Sequence, residues 1–126
     1  MKNKYQLEYS LNVSPNILFT RLSTAGGLAE WFADDIKLNE NVYTFVWNGV
    51  EQDAELVQKK NNKYVRFKWV DDDEKESFFE FRIHKDELTG DVALIVTDFS
   101  EEDETEESKE LWNRQINDLK HILGIT

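Results

Sequence analysis

Most side chains of this sequence that could carry out chemistry are carboxylates, and they are densest at residues 101–107, which read EEDETEE. Such a run could bind calcium or a basic partner, but it lacks the spacing and the glycine of an EF-hand loop. It directly precedes an amphipathic stretch, and carboxylates at a helix start are favoured by the helix dipole. We therefore predict that the run opens a helix; a cation site or a docking face is the alternative.

The remaining candidates for acid–base or metal chemistry give no specific signal. With 26 acidic residues in a chain of 126, some carboxylates must lie close together by chance. His84 falls on the polar phase of a strand pattern and His121 lies off the apolar stripe of a helix pattern, so both are interpreted as surface residues. There is no cysteine and no nucleophile–base motif. We predict no catalytic residue, no metal ligand and no cofactor.

The overall charge excludes several classes of partner. Lys and Arg total 15 against 26 Asp and Glu, which gives a net charge of −11. Nucleic acids and anionic membrane surfaces need clustered cations, and the sequence has no such cluster. No apolar run approaches the roughly 20 residues that span a bilayer. We predict one domain over residues 1–126 that is cytoplasmic, does not insert into membranes and does not bind nucleic acid.

The chain begins with a strand pattern followed by a helix start. Apolar and polar residues alternate from Tyr5 to Val13, which is the period of a strand with one buried face. Ser14 can cap a helix, and Pro15 suits the first helical position. The sequence therefore predicts a strand that leads directly into a short helix.

Residues 26–35, GGLAEWFADD, predict a structural lid. Gly26-Gly27 ends the first helix, and a second short helix follows. Leu28, Trp31 and Phe32 share one side of that helix at spacings of three and four residues. Asp34-Asp35 then returns the chain to solvent. We expect the rings of Trp31 and Phe32 to face inward at the rim of a pocket.

The middle of the chain predicts a series of antiparallel hairpins. Asn48-Gly49 is a strong two-residue turn signal between strands at residues 42–47 and 51–59. Further strands are predicted over residues 64–70, around Phe79, Phe81 and Ile83, and over residues 92–99. Which face of the strand carrying Tyr43, Phe45 and Trp47 is buried stays open. An outward set of these three rings, or an exposed strand edge, could form a homodimer.

The last predicted element is a long amphipathic helix over about residues 105–123. Trp112, Ile116, Leu119 and Leu123 form an apolar stripe, which Leu111 and Ile122 widen. Its length, roughly 28 Å at about 1.5 Å per residue, matches the width of six antiparallel strands at about 4.8 Å spacing. The helix can therefore cover the whole sheet.

Two segments carry a resemblance to a known family. Residues 13–35, VSPNILFTRLSTAGGLAEWFADD, resemble the opening of START-like (SRPBCC) domains. Residues 110–124, ELWNRQINDLKHILG, resemble their terminal helix. The similarity extends over nearly the whole chain and is greatest to the group similar to the activator of the heat-shock chaperone ATPase. It implies an α+β helix-grip fold, in which a curved antiparallel sheet wraps around a long C-terminal helix and two short helices follow the first strand.

The resemblance also implies a cavity between sheet and helix. The candidate lining residues are aromatic apart from one isoleucine: Phe19, Trp31, Phe32, Phe67, Trp69, Phe79, Phe81, Phe99, Trp112 and Ile116. An empty apolar cavity of about 300 Å³ would cost about 7 kcal/mol at about 24 cal/mol per Å³. That cost rivals the roughly 5–15 kcal/mol stability of a domain. Either a guest or water occupies such a space, or the rings close most of it.

Three functions are therefore compatible with the sequence. The first is non-catalytic binding of a neutral or cationic hydrophobic small molecule in this cavity. The second is a protein-interaction module whose acidic face, around residues 71–76 and 101–107, meets a basic partner. The third, implied by some members of the family, is an enzyme of the cyclase or hydrolase type.

Overall fold

The computed structural model describes residues 1–125, and its core architecture is a curved seven-stranded antiparallel sheet with a long C-terminal helix. The strands lie in the order β1-β7-β6-β5-β4-β3-β2, so β1 and β2 form the two edges. This confirms the predicted α+β helix-grip fold. The elements are β1 Asn3–Ser10, α1 Pro15–Ser23, α2 Ala25–Leu28, β2 Asp35–Asn39, β3 Val42–Trp47, β4 Val50–Lys60, β5 Tyr64–Trp69, β6 Phe79–Lys85, β7 Val92–Ser100 and α3 Thr105–Ile122.

The helix α3 is fastened to the sheet on the side of β1 and β7. It buries Trp112, Ile116 and Leu119, as the apolar stripe predicts. Tyr9 of β1 donates its hydroxyl hydrogen to Asn113 Oδ1 at 2.6 Å, which adds a polar attachment at the sheet edge. None of the described helices is long and apolar enough to cross a membrane.

The segment between α1 and β2 differs from its predicted form. Gly26 and Gly27 lie inside α2, whereas Trp31 and Phe32 lie in the turn that follows it. Thr24 begins α2 because its side chain accepts a hydrogen bond from Gly27 N at 2.9 Å. A Cβ at Gly27 would lie 2.2 Å from the Thr20 carbonyl oxygen, so only glycine permits this close approach of the two helices.

The region after this segment contains a strand that the sequence pattern did not predict. The edge strand β2 pairs with β3, and its sequence DIKLN alternates polar and apolar residues over only five positions. The Asn48-Gly49 turn between β3 and β4 is confirmed, with φ of 51° and 80° at the two residues. An alternation of this length is a weak signal by itself, and the hydrogen bonding to β3 makes the segment a strand.

The aromatic set of β3 points into the molecule. Tyr43 and Phe45 are buried, and Trp47 is half-buried against the same core. The Tyr43 hydroxyl donates to the Ser23 carbonyl oxygen at 2.8 Å, which joins β3 to the end of α1. An outward dimerisation surface made of these three rings is therefore wrong, because their side chains already form part of the interior.

Candidate functional site

The space between the sheet and α3 is filled by stacked aromatic rings. Phe32 belongs to the turn after α2, and its ring lies at the centre of the stack. The centroid of this ring is 5.0 Å from that of Phe45 and 5.7 Å from that of Trp112. Phe79 stacks on Phe67 at 5.0 Å on the sheet side. Offset and edge-to-face contacts of this kind add to the stability gained from burial alone. Of the two alternatives given above, the structure therefore favours the second, in which the aromatic rings fill most of the space between sheet and helix.

An open cleft of about 1200 Å³ remains beside this stack. One wall is the turn at residues 29–34, the second is the exposed flank of α3, and the third is formed by side chains of the sheet. All four tryptophans of the chain line it: Trp31, Trp47, Trp69 and Trp112. Because tryptophan offers a large apolar face with one polar N–H, a surface of this composition is suited to an apolar guest.

Two hydrogen bonds to one carbonyl group hold the lid segment in place. The Phe32 carbonyl oxygen accepts from Trp47 Nε1 at 2.7 Å and from Gln115 Nε2 at 3.1 Å. These donors belong to β3 and α3, so the backbone of the lid is attached to both opposing walls. The indole N–H of Trp31 is also used, since it donates to the Arg21 carbonyl oxygen at 2.8 Å. The wall of the cleft is therefore a fixed part of the fold.

A half-buried carboxylate, Asp98, lines the cleft. Its Oδ2 accepts from Trp112 Nε1 at 2.8 Å and from the Tyr5 hydroxyl at 3.3 Å, and its Oδ1 accepts from Phe99 N at 2.8 Å. Burial raises the pKa of Asp98 above its usual value, although these three hydrogen bonds act in the opposite direction. The charged form of this carboxylate is therefore destabilised by its surroundings.

Asp98 is joined through Tyr5 to a hydroxyl group on α3. Tyr5 Oη is hydrogen-bonded to Ser108 Oγ, and Ser108 also lines the cleft. Burial raises the pKa of Tyr5 to about 12; the Ser108 hydrogen bond opposes this shift and the Asp98 charge reinforces it. Tyr5 therefore stays a hydrogen-bond donor throughout the neutral pH range.

The rim of the cleft carries more negative than positive charge. Its carboxylates are Glu30, Asp34, Asp98 and Asp118, and its permanently cationic side chain is Arg114. Glu30 forms an ion pair with Arg21, and Asp34 Oδ2 accepts from Asn48 N at 2.8 Å. Asp98 forms no ion pair with any cation among residues 1–125. The local field of the cleft thus has the same sign as the net charge of the protein.

The structure divides the predicted lining residues into three groups. Trp31, Phe32, Trp69 and Trp112 line the cleft. The second group belongs to the packed core that supports it: Phe19, Phe67, Phe79, Phe81 and Ile116. The prediction is wrong for Phe99, which packs on Phe78 at 5.0 Å on the opposite face of the sheet. Its neighbour Asp98 faces α3, and adjacent strand residues point to opposite faces.

Sequence reasoning missed three features of the site. The sequence leaves the buried face of β3 open, because the period-two spacing of Trp47 with Phe45 is compatible with either face, so Trp47 is not among the predicted lining residues. Asp98 was not singled out because one acid among 26 carries no distinguishing signal. Leu111 and Ile122, which were placed on the apolar stripe of α3, are 49% and 38% exposed and lie on the cleft wall.

The acidic run and the two histidines occupy the positions that the sequence predicts. Glu102–Glu104 forms a 3₁₀ turn that leads into α3, so the run opens the helix. His84 and His121 are exposed. Among residues 1–125 no group of three or more His, Cys, Asp or Glu side chains could hold a metal ion.

The sequence of the whole described chain matches one family model. Residues 1–125 match the START-like superfamily domain. The chain belongs to the START-like superfamily. A protein from Bacteroides fragilis with a solution structure is 40% identical, with 99% of this chain and 93% of that chain covered and a TM-score of 0.70. A comparison with curated proteins gave no match.

Two more distant solved structures share the fold. The Aha1 dimer from Colwellia psychrerythraea is 20% identical, with 94% of this chain and 93% of that chain covered and a TM-score of 0.77. DynU16, described as a putative protein in the dynemicin biosynthetic locus, is 14% identical with a TM-score of 0.77; the match covers 96% of this chain and 47% of that chain. At these identities the two likenesses show a shared fold.

Proposed function

We propose that this START-like protein binds a neutral or cationic hydrophobic small molecule, without catalysis, in the cleft between the lid segment, α3 and the sheet. The observation that carries the proposal is the convergence of all four tryptophans on one cleft of about 1200 Å³. Ligand sites usually measure about 300–1,000 Å³ and combine apolar walls with a few polar groups. The cleft likewise combines apolar walls with a few polar groups, and its volume is slightly larger than that range.

The charge of the cleft supports a guest that is not an anion. Four carboxylates and one arginine surround the opening, and the whole chain carries a net charge of −11. The carboxylates would repel an anionic guest as it approaches, and salt screens this repulsion only beyond about 8–10 Å. Neutral and cationic compounds with an apolar body therefore remain as the favoured class.

A neutral fluorescent probe, N-phenyl-1-naphthylamine, tests the proposal directly. Its emission rises in apolar surroundings, so a saturable increase on titration with the protein is expected. Replacement of Leu111 on the cleft wall by Gln should weaken binding about three- to tenfold, because a methylene group contributes about 0.8 kcal/mol when buried. Leu38→Gln is the matched control, since Leu38 on β2 has 51% exposure against 49% for Leu111 and lies outside the cleft.

Native mass spectrometry and solvent extraction of freshly purified protein complete the test. A co-purifying neutral or cationic compound of apolar character is expected. The proposal is refuted if the probe does not bind, or if Leu111→Gln and Leu38→Gln have equal effects on its affinity. Co-purification of an anion would contradict the charge preference.

A second candidate function is docking of a basic protein partner on an acidic surface. The N-terminal residues lie against both acidic segments: Lys2 Nζ is 3.0 Å from Asp72 Oδ2, and the Met1 amino group is 3.3 Å from Glu101 Oε2. Both segments, residues 71–76 and 101–107, therefore have a residue in contact with the N-terminal dipeptide. This arrangement supports a continuous acidic face that would speed the encounter with a basic partner.

An octalysine peptide tests this second candidate. Its affinity should fall steeply between about 0.05 M and about 0.5 M salt, because salt screens exposed charges. The double variant Asp71→Asn/Asp73→Asn removes two charges from the acidic face and should weaken binding of the peptide. The control variant Glu87→Gln/Asp91→Asn removes two charges from the β6–β7 turn and should weaken binding less. Equal affinities at both salt concentrations would contradict an electrostatic face.

Homodimerisation is a third arrangement, which the likeness to an Aha1 dimer supports. The two sheet edges β1 and β2 present unpaired backbone groups, and such edges can pair with a second chain. Analytical ultracentrifugation over a range of protein concentrations tests it. A single monomeric species at all concentrations would refute it.

We also propose that the protein functions in the cytoplasm. The absence of cysteine supports this location, because a cysteine-free chain has no need of an oxidising compartment. Fractionation of cells that express the full-length protein tests the proposal. Recovery in a secreted or membrane fraction would overturn it.

A further inference from the structure

We propose that Asp98 is the group that recognises charge in the cleft, and that the guest is an organic ammonium ion attached to an aromatic or aliphatic body. This inference rests on the proposed function and names its ligand class. The ammonium group would donate to the Asp98 carboxylate and the Ser108 hydroxyl. The apolar body would lie against Trp47 and Trp69, which are the half-buried tryptophans of the cleft. The argument depends on the position, the partners and the surroundings of Asp98.

The Asp98 carboxylate retains capacity for one more donor. An ionised carboxylate has about four acceptor positions, and Trp112, Tyr5 and Phe99 N occupy three of them. All three partners are neutral donors, so none of them compensates the negative charge. A cation that enters the cleft could use the remaining position and neutralise the carboxylate at the same time.

Within residues 1–125 no cation forms an ion pair with Asp98. Lys2 is close enough to influence the charge of Asp98, but its ammonium group forms an ion pair with Asp72 at 3.0 Å. Arg114 lies on the cleft wall and forms no ion pair with a carboxylate of the described residues. A partly desolvated carboxylate that forms no ion pair lowers stability, which is consistent with the use of Asp98 as a binding group.

The indole rings that line the cleft together with Asp98 suit the same class of ligand. Trp112 donates directly to Asp98 while its ring packs on Phe32, and Trp69 completes the sheet wall with a half-buried ring. Indole faces attract cations through their quadrupole and attract apolar groups through dispersion. A carboxylate beside indole rings therefore selects an amphipathic cation over a neutral compound of the same shape.

A matched series of three naphthalene compounds tests the inference. The three compounds share a naphthylmethyl group and differ in charge. They are 1-naphthylmethylamine, which is a cation at neutral pH, 1-naphthalenemethanol, which is neutral, and 1-naphthaleneacetate, which is the anion of the carboxylic acid. Binding is followed in ¹H–¹⁵N spectra through the four indole N–H signals, all of which report on the cleft. Measurements at about 0.5 M salt suppress the long-range field of the protein, so the local effect of the carboxylate remains.

We expect the amine to bind at least about tenfold more tightly than the alcohol, because charge-assisted hydrogen bonds are roughly twice as strong as neutral ones. The acetate should bind most weakly. Asp98→Asn should remove the preference for the amine and leave the affinity for the alcohol within about twofold. Asp103→Asn is the control, because it removes the same charge from the exposed start of α3 and should keep the preference.

The outcomes separate this inference from the proposed function. If the alcohol and the amine bind equally to the unmodified protein, the inference is wrong and the cleft is still a ligand site. If Asp98→Asn keeps the tenfold preference, the inference is also wrong, because another group recognises the charge. If none of the three compounds shifts an indole signal, both the inference and the proposed function fail.

Discussion

Replacement of Phe32 by Ala tests whether one side chain of the lid closes the interior. Phe32 is 3% exposed, and its ring lies within 5.0–5.9 Å of the rings of Phe45, Trp47, Trp112, Trp31, Phe79 and Phe81, measured between centroids. The substitution removes the ring at the centre of this stack. Truncation of a buried phenylalanine to alanine usually costs about 3–5 kcal/mol. We expect a loss of about 4 kcal/mol in the free energy of unfolding.

This loss corresponds to a large change in melting temperature. The entropy of unfolding for 126 residues is about 0.26 kcal/mol per kelvin at about 2.1 cal/mol per kelvin per residue. A loss of about 4 kcal/mol therefore lowers the melting temperature by about 15 °C. Far-ultraviolet circular dichroism is the suitable assay, because it follows the whole fold and does not depend on tryptophan signals near the substitution.

Phe99→Ala is the matched control. Phe99 is half-buried on the opposite face of the sheet and packs on Phe78, so its truncation should cost only about 1 kcal/mol, typical of ordinary substitutions. Benzene should restore part of the stability of Phe32→Ala, because engineered apolar cavities bind it, and should have no such effect on Phe99→Ala. A loss of less than about 1 kcal/mol for Phe32→Ala, or equal losses for both variants, would refute the assignment of Phe32 as the central closing side chain.

Three further predictions concern stability. Gly27→Ala should destabilise the fold strongly, because its Cβ would meet the Thr20 carbonyl oxygen at 2.2 Å. Gly26→Ala is the control: a Cβ there has free space, so this variant should be neutral or stabilising. Urea denaturation of both variants measures the difference in the free energy of unfolding. Asp98→Asn should raise stability at pH 7, because burial raises the pKa of Asp98 and the charged form is the less stable one in the fold; the gain should vanish in melts below about pH 4. The pKa of Asp72 is lowered to about 2, since hydrogen bonds from Ser77, Glu74 N and Lys2 outweigh the opposing effect of burial. The ionised Asp72 therefore stabilises the fold by no more than about 2 kcal/mol, and by less where solvent screens it. This stabilisation is present above about pH 4 and is lost towards pH 2. Asp72→Asn should flatten this part of the acid unfolding curve, and an unchanged curve would contradict the assignment.

Local patterns were sufficient for the elements whose residues carry a strong preference. The apolar stripe of α3 places Trp112, Ile116 and Leu119 on one face, and the structure buries all three. The Asn48-Gly49 pair predicts its turn because both residues tolerate positive φ. In both cases the signal lies within a few neighbouring residues, so no knowledge of the rest of the fold is needed.

Local patterns failed where the conformation of a segment depends on contact with another element. The strand β2 exists because β3 offers it hydrogen bonds, and the position of α2 depends on contact between Gly27 and Thr20. The face of Phe99 follows from the register of β7, in which Asp98 points to α3. An error of one residue in that register moves a side chain from one face of the sheet to the other.

The sequence by itself determined the family, the α+β helix-grip architecture and the acidic character of this protein, because these follow from spacing, composition and similarity along the chain. Only the tertiary structure decided that Phe32 fills the interior and that the four tryptophans meet in one open cleft with Asp98. These residues come from the lid, three strands and α3. Their meeting depends on how distant elements pack, and a one-dimensional pattern does not contain that information.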